Sequence, residues 1–249
     1  MNRPEDISLH ARGPLYKEVK RRLTEAIGSG HWKPGAAIPP EPRLAEHFGV
    51  SIGTLRKAID ELVAENVLLR QQGRGTFVAS HRGEAMRFLF FNLIGRDGTR
   101  RWPDEVRLES FGRERADEGL AASLRIAPRA PVLAFRNTLW LDGRAVAVDD
   151  IRVAAAAFPG LTRARLAQRD NTIYHLYEYG FGISVTRIEE TLAATPAPAD
   201  VAALLGVKPG APLLEVHRIA WTLNDRPVES RVSWIDTTHH EYRREARSR

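Results

Sequence analysis

The sequence of 249 residues contains no cysteine. This absence excludes disulfide bridges, thiolate nucleophiles and metal sites with cysteine ligands. The sequence also has no run of about 18 apolar residues, and residues 2 to 6 are polar where a signal peptide needs an apolar core. We therefore expect a cytoplasmic protein that makes no membrane contact.

Two common catalytic motifs are absent as well. The sequence has no His-Glu-x-x-His pair and no Walker phosphate loop. His239 and His240 are adjacent, whereas a helical metal site needs two histidines four residues apart, so we interpret them as an exposed polar pair. We expect no catalytic residues, no cofactor and no bound metal ion.

The chain does have the length and the apolar content, 43%, for two domains. Lys and Arg outnumber Asp and Glu by 13 to 9 in residues 1 to 82, which leaves 24 against 22 for residues 83 to 249 from totals of 37 and 31. This basic excess suits a phosphate-rich partner, although a solvated basic surface has the same composition. We predict a first domain over 1–80, a linker over 81–86 and a second domain over 87–249.

Residues 41 to 64 have the spacing of two short helices joined by a tight turn. Leu44, Ala45 and Phe48 form one apolar stripe. Gly49 can end that helix because glycine adopts the left-handed conformation without a Cβ penalty. Ser51 is then a favourable N-cap for the next helix.

The second of these helices is predicted to bury one face and expose the other. Leu55, Ile59 and Leu62 recur at helical spacing and form the buried face. The opposite face carries Ile52, Gly53, Thr54, Arg56 and Lys57. In a helix-turn-helix the first turns of the second helix enter the major groove of DNA, so these residues would meet base edges and phosphates.

A two-stranded hairpin is predicted after the second helix. Residues 67 to 71 and 76 to 79 favour strands, and Gly73 and Gly75 favour a reversal between them. Arg74 lies at the predicted tip, where a cation can contact phosphate or the minor groove. Helical hairpins alone occur in many proteins that do not bind DNA. The capped helix and the basic hairpin together indicate a winged helix-turn-helix that binds double-stranded DNA.

Six segments between residues 14 and 80 form a specific set of motifs. They are Leu15-Tyr16-Lys17-Glu18-Val19, Gly30-His31-Trp32-Lys33-Pro34-Gly35, Arg43-Leu44-Ala45-Glu46, Gly49-Val50-Ser51, Thr54-Leu55-Arg56-Lys57-Ala58 and Gln72-Gly73-Arg74-Gly75-Thr76-Phe77-Val78. The set resembles the winged-helix domain of GntR-type bacterial transcription regulators.

The resemblance and the helix-turn-helix pattern together predict the DNA-contacting residues. They are Arg43, Ser51, Ile52, Gly53, Thr54, Arg56, Lys57, Gln72, Gly73 and Arg74. The family usually has Ser-Glu-Arg where this chain has Pro40-Glu41-Pro42, and often a basic residue at position 52. Pro42 therefore removes an arginine that relatives use on DNA, and Ile52 is expected to contact a thymine methyl instead.

The second half of the chain contains an internal repeat at an offset of 81 to 82 residues. Leu124, Pro128, Ala130, Pro131, Leu133, Trp140, Arg144 and Val146 recur as Leu205, Pro209, Ala211, Pro212, Leu214, Trp221, Arg226 and Val228. Each copy predicts a helix, a proline-containing turn and a β-hairpin, and the two hairpins can join one antiparallel sheet with helices over one face. Further strands are predicted near 88–94, 106–113 and 184–193, and a helix near 172–179. The predicted class is α+β.

Four short motifs accompany this layout. They are Phe158-Pro159-Gly160-Leu161, Thr172-Ile173-Tyr174, Leu204-Leu205-Gly206-Val207 and Arg226-Pro227-Val228-Glu229. Residues 86 to 244 thereby resemble the UTRA effector domain of HutC-type GntR regulators, whose fold is similar to that of chorismate lyase.

Two polar residues interrupt apolar strand faces in this domain. Asn137 is the one polar residue on a face that runs from residue 133 to 141, and Asp149 is alone on a face from 145 to 153. A buried carboxylate is costly unless it meets a donor. Arg218 holds the position in the second repeat that Asn137 holds in the first, and it could be that donor. An internal pair of Asp149 and Arg218 is the alternative to a ligand site.

The UTRA resemblance implies an effector pocket, and the strand pattern adds Arg218 to it. The predicted effector residues are Ser110, Asn137, Asp149, Thr172, Tyr174, Arg218 and Glu229, with Leu139 beside them. Thr172 would also lie at a helix N-terminus, where polar or anionic ligand groups are favoured. Relatives that sense sugar phosphates have arginines at the positions of Asn137 and Leu139, which weakens a phosphosugar as effector. An organic acid, an amine or another sugar derivative remains open.

The favoured interpretation is a homodimeric DNA-binding regulator that acts as a repressor and responds to a small metabolite. One alternative is a constitutive DNA-binding protein whose second domain only dimerises. Another is an enzyme, because the second domain resembles a lyase fold, but a fold does not determine an activity. Ligand-dependent release from DNA would separate the first two interpretations.

Overall fold

A computed structural model describes residues 14–81, 91–169, 172–223 and 225–243. The chain divides into two compact units, Met1–Ser80 and His81–Arg249. No helix among the described residues is both long enough and apolar enough to span a bilayer.

Over residues 14–80, the first unit contains three helices and one hairpin. Its elements are α1 (Leu15–Gly28), α2 (Glu41–Phe48), α3 (Ile52–Ala64), β1 (Leu68–Gln71) and β2 (Gly75–Val78). Leu23 of α1 and Leu55, Ile59 and Leu62 of α3 are completely buried, and Leu44 of α2 is nearly so. The helical spacing of these residues therefore forms the core as predicted.

The turn chemistry of the helix-turn-helix is confirmed. Gly49 follows α2 with a left-handed φ of 63°, and the Ser51 hydroxyl accepts a hydrogen bond of 3.1 Å from the backbone nitrogen of Thr54. The wing is confirmed as well, because β1 and β2 pair antiparallel with Leu68 opposite Val78. Gly73 and Gly75 both have positive φ in the reversal, which a residue with a Cβ rarely adopts.

The second unit is built on one six-stranded antiparallel sheet. Its elements are β3 (Leu93–Gly95), β4 (Glu105–Arg115), α4 (Glu118–Leu124), β5 (Pro131–Leu141), β6 (Arg144–Ala154), a 3₁₀ turn (Ala155–Ala157), α5 (Arg163–Ala167), α6 (Ile173–Phe181), β7 (Val185–Pro196), α7 (Ala199–Leu205), β8 (Pro212–Thr222), β9 (Pro227–Ile235) and β10 (His240–Tyr242). The strand order in the sheet is β4-β5-β6-β9-β8-β7.

The internal repeat is visible in this order. Helix α4 leads into the β5–β6 hairpin and helix α7 leads into the β8–β9 hairpin. Strands β6 and β9 join the two hairpins at the centre, where Asp149 lies opposite Ser233. The predicted helix, turn and hairpin of each copy are thus confirmed.

Helices cover both faces of the sheet, so the expectation of helices over one face was wrong. On one face Tyr174 and Tyr177 of α6 and Leu166 of α5 pack against Phe135 and Ile151. On the other face α7 packs against Val148 and Leu213. The physical reason is that β6 is buried on both sides along most of its length, and each side requires a cover.

The margins of the second unit differ from the sequence-based boundaries. Of the strand predicted over 88–94, residues 88 to 90 lie outside the described residues, and the observed strand β3 pairs with β10 rather than with the main sheet. His81, which we predicted as the first residue of the linker, is buried inside the second unit, with 1% of its surface exposed.

Candidate DNA interface and buried polar site

The residues predicted to contact DNA lie mostly on the surface of the first unit. Exposed side chains or backbone are found at Arg43, Ser51, Ile52, Gly53, Arg56, Lys57, Gln72, Gly73 and Arg74. Ile52 is 45% exposed at the start of α3, which leaves it available for an apolar contact. Thr54 is half-buried, and its hydroxyl lies 2.9 Å from that of Ser51.

Several of these cations already have partners within the first unit. The Arg56 guanidinium donates through Nε to Glu41 at 3.0 Å. Lys57 lies 4.0 Å from the centre of the Tyr16 ring, and Arg74 lies 5.7 Å from that of Phe77. These contacts restrict the directions of the side chains and leave them at the surface.

The sheet of the second unit carries a band of polar side chains across the middle of one face, which we call the polar band. Its members are Asn137, Asp149, Glu190, Arg218, Glu229, Arg231 and Ser233. Opposite residues in neighbouring strands share a face. The register places Asn137 opposite Asp149, Asp149 opposite Ser233, and Arg231 opposite Arg218. One apolar cluster lies on each side of the band.

Asp149 is fully engaged within the band. Arg231 donates to its Oδ2 at 2.8 Å, and the Ser233 hydroxyl donates to its Oδ1 at 2.6 Å. The alternative in which Asp149 pairs with Arg218 inside the domain was therefore wrong, because Arg231 is the arginine that pairs with Asp149. Strand β9 lies between the two residues and supplies its own arginine, Arg231.

Glu229 is held by three donors although none of its surface is exposed. The hydroxyls of Tyr174 and Tyr177 donate to its two oxygens at 3.0 and 2.8 Å, and Arg231 donates to Oε1 through Nε at 2.9 Å. Burial raises the pKa of both tyrosines, and the Glu229 carboxylate raises it further. Both phenols therefore stay protonated and act as donors.

Arg218 forms the second ion pair of the band. It donates through Nε to Glu190 at 2.8 Å, and the Tyr242 hydroxyl donates to the same carboxylate oxygen at 2.8 Å. Glu190 has no side-chain exposure. Burial opposes the charge of Arg218, but the neighbouring Tyr174 and Glu190 raise its pKa overall, so the guanidinium keeps its charge.

Among the residues that the structure describes, three buried atoms of the band make no hydrogen bond. They are Asn137 Oδ1, Glu190 Oε2 and Arg231 Nη2. Arg231 Nη2 lies 2.9 Å from Glu229 Oε1 but without the angle of a hydrogen bond, because Nε uses that oxygen. A buried polar atom without a hydrogen bond costs about 1–3 kcal/mol, so each of these three atoms would be stabilised by a hydrogen-bonding partner.

Two predicted effector residues lie elsewhere. Ser110 is exposed and lies opposite Arg136, on the other face of the sheet from Asn137. A β-bulge between Leu108 and Ser110 causes this change of face. Thr172 is at the start of α6, as predicted, and its hydroxyl caps the helix by accepting from the nitrogen of His175.

Four residues at or near the band were not predicted from the sequence, namely Arg231, Glu190, Tyr177 and Arg169. Arg231 could have been found, because Glu229, Arg231 and Ser233 alternate along β9 and must share one face. Arg169 is half-buried near Asp149 and Arg231, and desolvation lowers its pKa. No sequence pattern identifies Arg169 or Glu190. Their positions depend on how α5 packs against the sheet and on which strand pairs with β7.

His81 connects the start of the second unit to the polar band. Its backbone nitrogen donates to the Glu178 carboxylate of α6 at 3.1 Å, and its Nε2 lies 2.8 Å from the carbonyl oxygen of Val185. Its ring packs against that of Tyr174, with centres 5.6 Å apart. Tyr174 in turn donates to Glu229, so the contacts run from the first residue of the unit to the band.

The second unit also has a surface cavity of about 400 Å³, which is lined by Arg96, Arg101, Arg144 and His240 among others. No predicted site residue lines it. No group of three or more His, Asp and Glu side chains in the described parts of the chain is arranged to hold a metal ion.

Exposed cations on a winged helix-turn-helix, together with a buried polar band in a separate α+β unit, define a DNA-binding regulator with a small-molecule domain. Comparison with known proteins agrees. Residues 15–78 match the model for bacterial regulatory proteins of the gntR family, and residues 105–241 match the UTRA domain. The chain belongs to the GntR family and carries a UTRA domain of the HutC type.

Similar proteins are regulators. The chain is 30% identical to the histidine utilization repressor of Pseudomonas putida, over 84% of this chain and 83% of that protein. It is 29% identical to a probable fructoselysine utilization operon transcriptional repressor of Escherichia coli K12, over 86% and 87%. The ligand-binding domain of a putative GntR-family regulator from Bordetella bronchiseptica superimposes with a TM-score of 0.60 at 34% identity, covering 64% of this chain and 98% of that one. The chain is thus a metabolite-controlled transcription regulator, and not an enzyme.

Proposed function

We propose that this regulator represses transcription as a homodimer on a palindromic operator in the bacterial cytoplasm. Each chain supplies one winged helix-turn-helix, and such units bind in pairs when the operator has two half-sites. Light scattering combined with gel shift tests this proposal. A monomer that occupies a single half-site at full affinity would contradict it.

The DNA interface proposed here consists of the exposed face of α3, the wing tip and Arg43. The exposure of Arg56 and Arg74 supports phosphate contacts, whereas Gly53 and Thr54 are placed to influence sequence preference. Arg56→Ala and Arg74→Ala should weaken binding to all sequences and each reduce the salt dependence by about one ion. Arg113→Ala, which removes an exposed cation from the second unit, is the control. Unchanged salt slopes in the first two variants would show that these cations are only solvated.

The polar band is proposed as the effector site, and the observation that carries this proposal is its set of unpaired buried atoms. Arg231 Nη2 requires an acceptor, and the oxygens of Asn137 and Glu190 require donors. A small molecule with a carboxylate or carbonyl oxygen and a hydroxyl or amino group supplies both. A doubly charged phosphate fits less well, because only one guanidinium nitrogen among the described residues of the band lacks a hydrogen bond, and both arginines and Ser233 already donate to carboxylates.

The names of two relatives refer to the utilisation of histidine and of fructoselysine, both of which carry carboxylate and amino groups. These names support a small polar effector that carries a carboxylate and an amino group. Asp149 and Glu229 would act indirectly, by holding Arg231 in place, since their oxygens are already occupied. A thermal-shift screen of the full chain against organic acids, amino acids, amines and sugars would identify the class, because a ligand at a hundredfold excess over its dissociation constant stabilises by about 2.7 kcal/mol.

The contacts of His81 support a route from the effector site to the DNA-binding unit. An effector that moves Tyr174 would also disturb the His81 ring, and His81 is the residue at which the first unit is attached. His81→Ala should then keep effector affinity but reduce the effect of effector on operator affinity. Full coupling in this variant, measured by fluorescence anisotropy with an operator duplex, would exclude the route.

A further inference from the structure

One carboxylate in the first unit joins three elements. Glu41 lies in the first turn of α2 and accepts from Arg56 of α3 at 3.0 Å and from Arg70 of β1 at 3.1 Å. Each arginine uses a different oxygen of Glu41. The Glu41 side chain is 21% exposed, whereas that of Arg56 is 60% exposed. The anion is therefore recessed below the guanidinium that it holds.

The atoms used in this contact determine where Arg56 points. Glu41 accepts from Nε, which lies at the side of the guanidinium group, and the two terminal nitrogens remain at the exposed end. Those two nitrogens form the fork that binds phosphate oxygens in pairs. Arg70 is held from the wing side through both terminal nitrogens, since Nη2 donates to Glu41 and Nη1 pairs with Asp60 at 2.6 Å.

The charge of Glu41 has a second consequence. It offsets part of the attraction that Arg56 and Arg70 exert on any DNA, and it repels a phosphate that approaches from another direction. Phosphate contacts fix the register of a protein on DNA. A recessed carboxylate that orients two cations therefore favours one register and disfavours the others.

We propose that Glu41 is a positioning residue that sets the discrimination between operator and non-operator DNA. This inference rests on the proposed DNA interface, and specifically on a DNA contact by Arg56. Glu41 itself need not touch DNA. Its role is to direct the fork of Arg56 and to keep the wing and the recognition helix in one arrangement.

Glu41→Gln tests the proposal, with Glu46→Gln as the matched control. Both substitutions remove one negative charge from α2, but Glu46 is exposed and has no ion pair among the described residues. The probes are a duplex selected from a random library by the wild-type protein and a scrambled duplex of the same composition. Anisotropy titrations at several salt concentrations give the two affinities, and circular dichroism with a urea titration checks that each variant folds.

Both variants should bind the scrambled duplex more tightly than the wild type, because each is more positive by one charge. Glu41→Gln alone should bind the selected duplex more weakly, so that the ratio of the two affinities falls about tenfold, the scale of one lost charge-assisted contact. An equal ratio in the two variants would overturn the proposal. If Arg56→Ala leaves both affinities and the salt slope unchanged, the interface itself is wrong. If Arg56→Ala weakens binding while Glu41→Gln keeps the ratio, only the role of Glu41 is wrong.

Discussion

The two units use charge in opposite ways. In the first unit Arg56 and Arg70 are exposed, and both pair with the partly exposed carboxylate of Glu41. In the second unit Arg218 and Arg231 are buried in a sheet and pair with carboxylates that have almost no exposure. Exposed pairs contribute about 0–1 kcal/mol, whereas removing one partner of a buried pair costs several. Substitutions at the DNA-contacting residues should therefore change the stability of the fold little, whereas substitutions in the polar band should destabilise it.

The largest effect is expected for Arg231→Met, which removes the cation that both Asp149 and Glu229 contact. It should destabilise the second unit by about 3–5 kcal/mol, because two buried carboxylates lose their shared donor. Arg56→Met should change stability by about 0.5 kcal/mol or less. Urea unfolding followed by tryptophan fluorescence reports mainly on the second unit, which contains four of the five tryptophans. Equal midpoints for the two variants would remove the contrast between the units.

The second effect concerns alkaline pH. Tyr174 and Tyr177 have pKa values raised above the ordinary 10.0 by burial, so ionisation above that pH favours the unfolded chain. The stability from these phenols is complete below about pH 10 and is lost as the pH rises towards their folded pKa values, by about 1.4 kcal/mol per phenol and pH unit. A Tyr174→Phe/Tyr177→Phe variant should be less stable at pH 8 but should lose stability less steeply above pH 10. Identical slopes would show that these phenols ionise in the folded protein.

The third effect separates the two buried arginines. Asp149→Asn should cost about 1.5–3 kcal/mol through a lost charge-assisted hydrogen bond. In a double-mutant cycle this loss should couple strongly to Arg231→Met and add nearly independently to Arg218→Met. Strong coupling to Arg218→Met instead would support the pair between Asp149 and Arg218 that the sequence suggested.

The smallest effect is expected at the surface of the first unit. Ser51→Ala removes the cap of α3 and should cost about 1 kcal/mol. Ser29→Ala, which removes an exposed hydroxyl after α1, should remain within about 0.5 kcal/mol. Thermal unfolding followed by the helical circular dichroism signal compares the melting temperatures of the two variants. A cost at Ser29 as large as at Ser51 would mean that the cap has no specific role.

The accuracy of the sequence predictions follows the range of the interactions involved. The turn at Gly49, the cap at Ser51 and the wing were correct because short-range rules determine them. Asn137 and Asp149 were each placed correctly on the apolar face of their own strand, because side chains in a strand alternate with period two. Ser110, which the UTRA resemblance implied, lies on the opposite face from Asn137 because the bulge after Leu108 shifts the register. The partner of Asp149 was wrong because strand order decides which arginine is adjacent, and strand order is a long-range property.

The most direct test of the account is a comparison of the wild type with Asn137→Leu in the full chain. Asn137 is 2% exposed and its carbonyl oxygen has no hydrogen bond, so leucine should preserve folding and DNA binding. A metabolite that stabilises the wild type and changes its affinity for the operator should do neither in this variant at the same concentration. An unchanged midpoint for that metabolite in Asn137→Leu would contradict the assignment of the polar band as the effector site.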